Sequence, residues 1–407
     1  MNKKTEQYDV VIIGGGAAGL TAGIYCGRAR LKTLIIEKSL VGGLATYTNE
    51  IENYPGFPEG TTGLGLMDLF HKQAKKFGVD FKLTDVKSVS LEEEVKVVET
   101  FRIKYECKAV IIASGGKPRL TGAKNEDLYL YDKGISFCAT CDAAANTGKT
   151  VVVIGSGDAA IEEGMFLTKF ADKVLVSVIH DEGIMDCNEI AKGQAMSNPK
   201  MEFIWNTVVD RFEGEGHLEQ VVMKNLKTGE LIPVQADTCF LFIGYLPNTE
   251  IFKDILEMNG GGYLKTNERM EANLPGVWAV GDVRDKFLKQ VATAVGDGAV
   301  AGFGVEKYIA ESEMFEKQIL QSDKPAYVYL FNAVDGTSRD LLAVVEKIEE
   351  GLAEKVSVSK VDVYKSDGIA RRLGVSAYPS LVLIENGEIV KSQTSNIDEA
   401  SIKAFFS

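Results

Sequence analysis

The chain has 407 residues, which at roughly 100–200 residues per domain allows two to four domains. Its 45 Lys plus Arg against 58 Asp plus Glu give a formal net charge of −13, so the basic footprint that nucleic acid or anionic lipid requires is missing and neither is expected as a partner. Glycine is in excess, 41 against 9 prolines; disordered and collagen-like chains enrich both, so those classes are excluded and the glycines must serve backbone geometry in a globular protein.

The basic start is followed by a short apolar run, Val10–Ile13, too short for a signal peptide. No apolar run approaches the roughly 18 residues that span a bilayer, and a cytoplasmic protein is expected. Tyr8–Ile13 is predicted as a strand. It runs into Gly14-Gly15-Gly16-Ala17-Ala18-Gly19, a small-residue helix through Arg30 and a second strand, Thr33–Ile36, ending at Glu37. This is a dinucleotide-binding pattern: glycines make the tight turn and let backbone approach a pyrophosphate, helix amides face it, and the acid accepts from a ribose hydroxyl. Lys108–Gly116 is a strand ending in small residues. A second copy of the pattern follows: strand Thr150–Ile154, turn Gly155-Ser156-Gly157-Asp158-Ala159-Ala160, a helix to about Phe170, and strand Val174–Ile179 ending at His180-Asp181-Glu182. One such turn is weak evidence; two, each between a strand and a helix, are strong. Gly276–Asp282 is a further strand, with Gln290 and a small-residue helix behind it. The Asp282 carboxylate at its end suits a cofactor ribityl hydroxyl or a helix cap equally.

Glu311–Lys324 is polar, Pro325 follows, and the stretch reads as a linker. Beyond it come strand Ala326–Phe331, helix Arg339–Leu352, strand Val356–Val363, helix Asp367–Leu373, strand Ser380–Ile384, an Asn386-Gly387 turn, strand Glu388–Ser392 and a closing helix. The fold class expected is α/β: two Rossmann-like three-layer nucleotide domains and a C-terminal α/β unit.

Of six cysteines, Cys26, Cys107, Cys187 and Cys239 are isolated in mostly apolar surroundings and are expected in cores. Cys138 and Cys141 stand three apart, the spacing of a reversible disulfide. A metal site is not expected, because no second such pair exists and His71, His180 and His217 are scattered. Asp142, next to the pair, could give a proton to a departing thiolate or cap a helix. Two nucleotide folds and one dithiol imply an electron relay: reduced cofactor, flavin, Cys138–Cys141 disulfide, external disulfide.

The first 310 or so residues resemble low-molecular-weight thioredoxin reductases, on GGGAAG at 14–19, ENYPGFP at 52–58, ASGGKPR at 113–119, CATCD at 138–142, GSGDAA at 155–160, GYLPNT at 244–249 and GD at 281–282. The resemblance implies a flavin domain split over 1–118 and 248–312, an inserted dithiol and nicotinamide-nucleotide domain at 119–247, and a linker at 313–324. It implies FAD held by Gly14, Gly16, Gly19, Glu37, Gly43, Asn53, Ala113, Asp282 and Gln290. It further implies that Cys141 faces the flavin and forms the adduct, Cys138 attacks the disulfide substrate, and Asp142 is the acid. The inserted domain would rotate between two orientations, the substrate would be thioredoxin or a similar protein, and the enzyme would be a homodimer.

Three departures qualify this likeness. The family's histidine and arginines after the second nucleotide strand, which hold the 2′-phosphate of NADPH, are replaced by His180-Asp181-Glu182-Gly183, with no arginine before Arg211. With Gly155, Gly157 and Ala160 kept and Asp181 and Glu182 suited to a 2′-hydroxyl, NADPH is disfavoured and NADH favoured; a ferredoxin donor, for which Lys72, Lys75, Lys76, Arg371 and Arg372 could offer basic contacts, stays open. Leu44 stands where the family has glutamine, and Ala143-Ala144-Ala145 replace its glycine and aromatic residues. Residues 325–407 resemble thioredoxin, with Pro379 at the cis-proline position, yet Asp335-Gly336-Thr337-Ser338 fills the dithiol position and no cysteine follows Cys239. That module is expected to serve docking or oligomerisation, or to be a decayed fusion. A flavin-dependent dithiol oxidase of small molecules and a redox-sensing binding protein are the competing functions.

Overall fold

The computed structural model describes residues 3–48, 51–130, 132–352, 355–365 and 368–406. The chain divides into two compact units, Met1–Gly302 and Phe303–Ser407.

The N-terminal unit is built on two large sheets, the first mixed and the second parallel. In the first, strands run in the order Asp80–Leu83, Thr33–Glu37, Lys4–Ile13, Ile103–Ile112, Lys96–Thr100, Val86–Ser90. Lys4–Ile13 pairs in parallel with both Thr33–Glu37 and Ile103–Ile112. Ile103–Ile112 meets Lys96–Thr100 antiparallel along its first half and Val277–Ala279 parallel along its second. At the centre of the sheet residues 10–13, 34–36 and 109–112 read as unbroken apolar runs because both faces are covered there. Val11, Ile13, Leu34, Ile36, Val110 and Ile112 pack with Phe252, Leu256 and Leu264. On the other face Ile35 lies beneath Gly23 of the helix Ala17–Arg28, where a Cβ would come within 2.8 Å of the Ile35 Cδ1.

The second sheet is parallel throughout, in the order Met201–Trp205, Lys173–Val178, Thr150–Ile154, Thr238–Leu241, Ile135–Ser136. Alternation along its strands divides two cores. Val151, Val153, Val174 and Val176 face Ala160, Ile161 and Leu167 of the helix Asp158–Leu167. Val152, Ile154, Leu175, Cys239 and Leu241 face Phe212, Val221 and Met223 of an antiparallel three-stranded sheet, giving helix, sheet and sheet layers. The chain passes between these two sheets through an antiparallel pair, Gly116–Pro118 with Tyr245–Pro247.

The C-terminal unit has a four-stranded sheet in the order Ser357–Asp362, Ala326–Phe331, Ser380–Glu385, Glu388–Gln393. Its first pair is parallel and the others antiparallel. Helices Gly336–Leu352, Gly368–Arg372 and Glu399–Phe405 follow the expected order, although Asp367, expected to open the second, lies outside the described residues. The Tyr378–Pro379 peptide is cis.

One expectation needs correction. Residues 313–324 are not an extended linker. The helix Val291–Met314 contains the boundary between units and is followed by a helical stretch, Phe315–Leu320. Phe315 and Ile319 lie in the core of the C-terminal unit. Their four-residue spacing puts both on one helical face, which a count of polar residues overlooks. The four isolated cysteines are buried and lie outside the one disulfide found among the described residues. Among the described residues no helix is long and apolar enough to cross a membrane.

Candidate functional site

Three strand ends converge in the first sheet. Gly14 N donates to Ile36 O at 2.8 Å, Ala113 N to Ile13 O at 2.8 Å, and Val280 N to Ile112 O at 2.9 Å. This brings Gly14, Ala113 and the Gly281-Asp282 turn side by side at the carboxyl edge, where parallel α/β sheets bind ligands. Gly14 has φ +108°, and a Cβ there would lie 2.2 Å from the Ala113 carbonyl oxygen. Gly19 packs on Gly14 just as closely, a Cβ falling 2.0 Å from Gly14 O. Gly16 bridges Gly42, beside Gly43. Glu37 accepts from Gly15 N at 2.8 Å and Ser39 N at 2.9 Å, so its carboxylate is fixed at the turn. Asp282 Oδ1 is buried without a hydrogen-bond partner, and burial holds its carboxyl above the usual range. A buried carboxylate oxygen without a donor fits a ligand hydroxyl, so the residues present suit the ribose and ribityl groups of a flavin dinucleotide.

Asn53 and Gln290, far apart in sequence, meet: Asn53 Nδ2 donates to Gln290 Oε1 at 3.2 Å. Gln290 Nε2 donates in turn to Thr140 Oγ1 at 3.4 Å. Thr140 lies between Cys138 and Cys141, so this edge of the first nucleotide fold is tied to the dithiol. The two cysteines are joined in a disulfide with Cα atoms 5.3 Å apart. Cys138 is extended and caps the short helix Ala139–Asp142, which directs both sulfurs to one side. Behind them Ser136 Oγ donates to Asp142 Oδ2 at 2.5 Å and accepts from Cys138 N at 3.2 Å. Burial holds the Asp142 carboxyl above the usual range, and the Ser136 hydroxyl offsets this in part. Asp132 is raised by burial and by the charge of Asp142. Ala143 is buried while Ala144 and Ala145 are exposed.

The second turn repeats the first: Gly155 has φ +131°, and Ala160 is buried beneath it. Gly157 opens its helix with nothing within 4 Å of a Cβ position. The acidic residue that reaches this turn is Asp186, which accepts from Ser156 Oγ at 2.9 Å and lies 2.9 Å from His180 Nε2. Those two partners hold its carboxyl below the usual range. Asp158 accepts from Asn188 N and Nδ2 at 2.7 and 2.8 Å. Asp181 is instead drawn into an ion pair with Lys227, and Glu182 is exposed. Arg211 is engaged by Asp210 and Glu213. Among the basic candidates, Lys72 pairs with Asp68 on its own helix. Among the described residues no group of His, Cys, Asp and Glu could hold a metal ion.

Ser136, Thr140, Asp186 and the buried Asp297 escape a sequence reading. Asp297 accepts from Gly281 N, Arg284 and Lys286, pinning the loop between Asp282 and Gln290. Its one signal is a charge amid small residues of an otherwise apolar helix. In the C-terminal unit Asp335 caps a helix by accepting from Ser338 N at 2.7 Å. Tyr329 donates to Ser338 O at 2.7 Å, and burial pushes its hydroxyl up to about 12. The dithiol position is thus a helix cap.

Residues 8–298 match the pyridine nucleotide-disulphide oxidoreductase family and residues 306–407 match thioredoxin. A thioredoxin reductase of Peptoclostridium acidaminophilum is 40% identical over 308 residues, which cover 74% of this chain and 97% of that protein. A thioredoxin reductase of Bacillus subtilis (strain 168) is 41% identical over 305 residues, covering 75% and 95%. The crystal structure of thioredoxin reductase from Streptococcus pyogenes MGAS5005 matches with a TM-score of 0.71 at 38% identity, over 75% of this chain and 99% of that one. The chain belongs to the thioredoxin reductase group of the pyridine nucleotide-disulphide oxidoreductases, and carries a thioredoxin domain behind it.

Proposed function

We propose that this flavoprotein reduces the disulfide of thioredoxin or a similar protein, through FAD in the first nucleotide fold and the Cys138–Cys141 pair in an inserted domain at 119–247. The observation that carries the reading is the line Asn53–Gln290–Thr140, which ties the cofactor edge to the redox pair. Gly14, Gly16, Gly19, Glu37, Gly43, Asn53, Ala113, Asp282 and Gln290 would hold FAD, with Asp282 Oδ1 taking a ribityl hydroxyl. Bound FAD would supply a carrier that accepts a hydride and passes on an electron pair.

The protein's own part is thiol chemistry. Two electrons and two protons convert the Cys138–Cys141 disulfide to two thiols. The Cys138 thiol gives its proton to Asp142, whose raised carboxyl favours holding one, and attacks one sulfur of the substrate disulfide as the thiolate; the departing thiolate then takes that proton from Asp142. Cys141 then attacks Cys138 in the mixed disulfide, restoring the internal disulfide and releasing the second substrate thiol. Cys138→Ser should abolish turnover and leave flavin reduction by the donor intact; turnover in that variant would defeat the assignment.

For the donor, NADH is preferred to NADPH. Asp186 stands on the second turn, and Arg211, the first arginine after the second nucleotide strand, is held by Asp210 and Glu213. The same carboxylates, Asp158 and Asp186, favour a second reading, a ferredoxin-like protein donor, because they oppose any pyrophosphate at that turn. Anaerobic mixing with NADH, NADPH and reduced ferredoxin in turn, followed by flavin bleaching, separates the cases. A homodimer and a cytoplasmic setting complete the reading.

A further inference from the structure

The hydroxyl groups around the disulfide have a fixed direction. Thr140 Oγ1 lies 3.4 Å from Cys138 Sγ. Gln290 Nε2 donates to that same oxygen, and Gln290 is oriented by Asn53 Nδ2, which donates to its Oε1. A threonine hydroxyl has a single proton. With Gln290 donating into its oxygen, the proton is left for an acceptor, and the Cys138 sulfur is within reach. Ser136 is the other hydroxyl beside Cys138, but its proton goes to Asp142 at 2.5 Å while its oxygen accepts from Cys138 N. Ser136 therefore serves the carboxylate and Thr140 serves the sulfur.

We propose that Thr140 holds the Cys138 thiolate: in the reduced dithiol, while the pair faces the cofactor edge, its hydroxyl donates to the Cys138 sulfur, aimed by Gln290 and Asn53. This rests on the reading of Cys138 as the attacking thiol. A hydrogen bond to the charged form stabilises it, and the thiolate is the nucleophile. Two acids stand beside the pair, Asp142 on the same helix and Asp132, whose carboxyl feels the Asp142 charge, and when ionised they oppose a second negative charge. The Thr140 hydroxyl works against them. Asn53 and Gln290 would then have a second task besides the cofactor, setting the reactivity of the dithiol from the cofactor edge.

The test uses the full-length chain carrying Cys141→Ser, in which Cys138 is the free thiol of the pair and the other four cysteines are buried. Alkylation of Cys138 by iodoacetamide is followed against pH by peptide mass spectrometry. Adding Thr140→Val should move the midpoint up by about 0.5–1 pH unit, or slow alkylation roughly 3- to 10-fold at neutral pH. Thr140→Ser should restore the parent curve, and Gln290→Leu should shift it in the same direction as the valine. Thr140→Ala repeats the measurement should the valine variant fail to fold. Superimposable curves for the parent and the hydroxyl-free variant would overturn the proposal, as would a shift that serine does not repair. The underlying reading fails separately: turnover in Cys138→Ser sinks the attacking role whatever Thr140 does, whereas an inactive Cys138→Ser with an unmoved Thr140→Val curve sinks only the hydrogen bond.

Discussion

At the scale of single residues, Asp142 joins stability to chemistry. Its carboxyl is held above the usual range because burial penalises the charged form, with the Ser136 hydroxyl opposing this. A group whose folded pKa is raised contributes stability below its unfolded value, about 3.9 for Asp, and loses that contribution as pH rises through the folded value. As pH rises above that unfolded value, the burial of Asp142 therefore costs stability. Asp142→Asn removes the charge and keeps the shape, so it should melt higher than the parent at pH 7, with the gap closing towards pH 4. Turnover of the same variant should fall about 100-fold or more, since the proton for the leaving thiolate is gone. Thermal scans between pH 4 and 8 check the first effect and steady-state rates the second; equal melting at both ends of the range would remove the argument. The Cys138–Cys141 pair was legible because a spacing of three suits a reversible disulfide, and the two sulfurs are joined. Ser136, Thr140 and Asp186 were not. Each is a short polar residue with no periodic signal, and its partner is set by a strand end or a loop that folds back.

At the scale of elements, the two glycine turns were legible for a steric reason. Gly14 adopts φ +108° against the Ala113 carbonyl, which excludes other residues. Gly14→Ala should cost about 1–3 kcal/mol, read as a lower melting temperature, and the purified protein should lose flavin as the strand ends separate. Gly157 is the informative contrast. Its backbone is ordinary and the space around a Cβ is empty of protein, so Gly157→Ala should fold and retain flavin as the parent does. Any loss in that variant then reports on what approaches the turn from outside. Reduction by NADH should weaken if a dinucleotide binds there and stay unchanged if the donor is a protein. Anaerobic stopped-flow mixing with NADH reads this directly. The acid at that turn was the harder part: Asp181 and Glu182 follow the strand, as the pattern asks, yet the chain continues through a loop that returns Asp186 to Ser156 and leaves Asp181 with Lys227. Tertiary return of a loop has no local signature.

At the scale of the whole molecule, the error at 313–324 has an experimental consequence. Polar composition suggested a linker that could be cut before Pro325. In the structure Phe315 and Ile319 belong to the core of the C-terminal unit, packed with Val328, Leu330 and Ile384. A chain ending at Lys324 would keep both side chains and lose their partners, exposing an apolar helical face of the kind that drives association. A chain ending at Met314 discards them with the module they serve, and the reductase relatives match just that first part, 74–75% of this chain against 95–97% of their own length. The shorter truncation should therefore be monodisperse, hold flavin and reduce added thioredoxin. The longer one, ten residues more by 324 − 314, should bind a hydrophobic dye and aggregate. With the sound truncation in hand, the role of the dithiol-free module becomes measurable. Asp335 caps a helix where the reactive pair would stand and no cysteine follows Cys239, so the module offers no thiol for exchange, and we propose that it acts through binding. Its removal should raise the KM for the protein substrate severalfold or change the mass measured by light scattering, with flavin reduction by the donor unaffected. Unchanged KM and unchanged mass together would leave the module without a docking or assembly role.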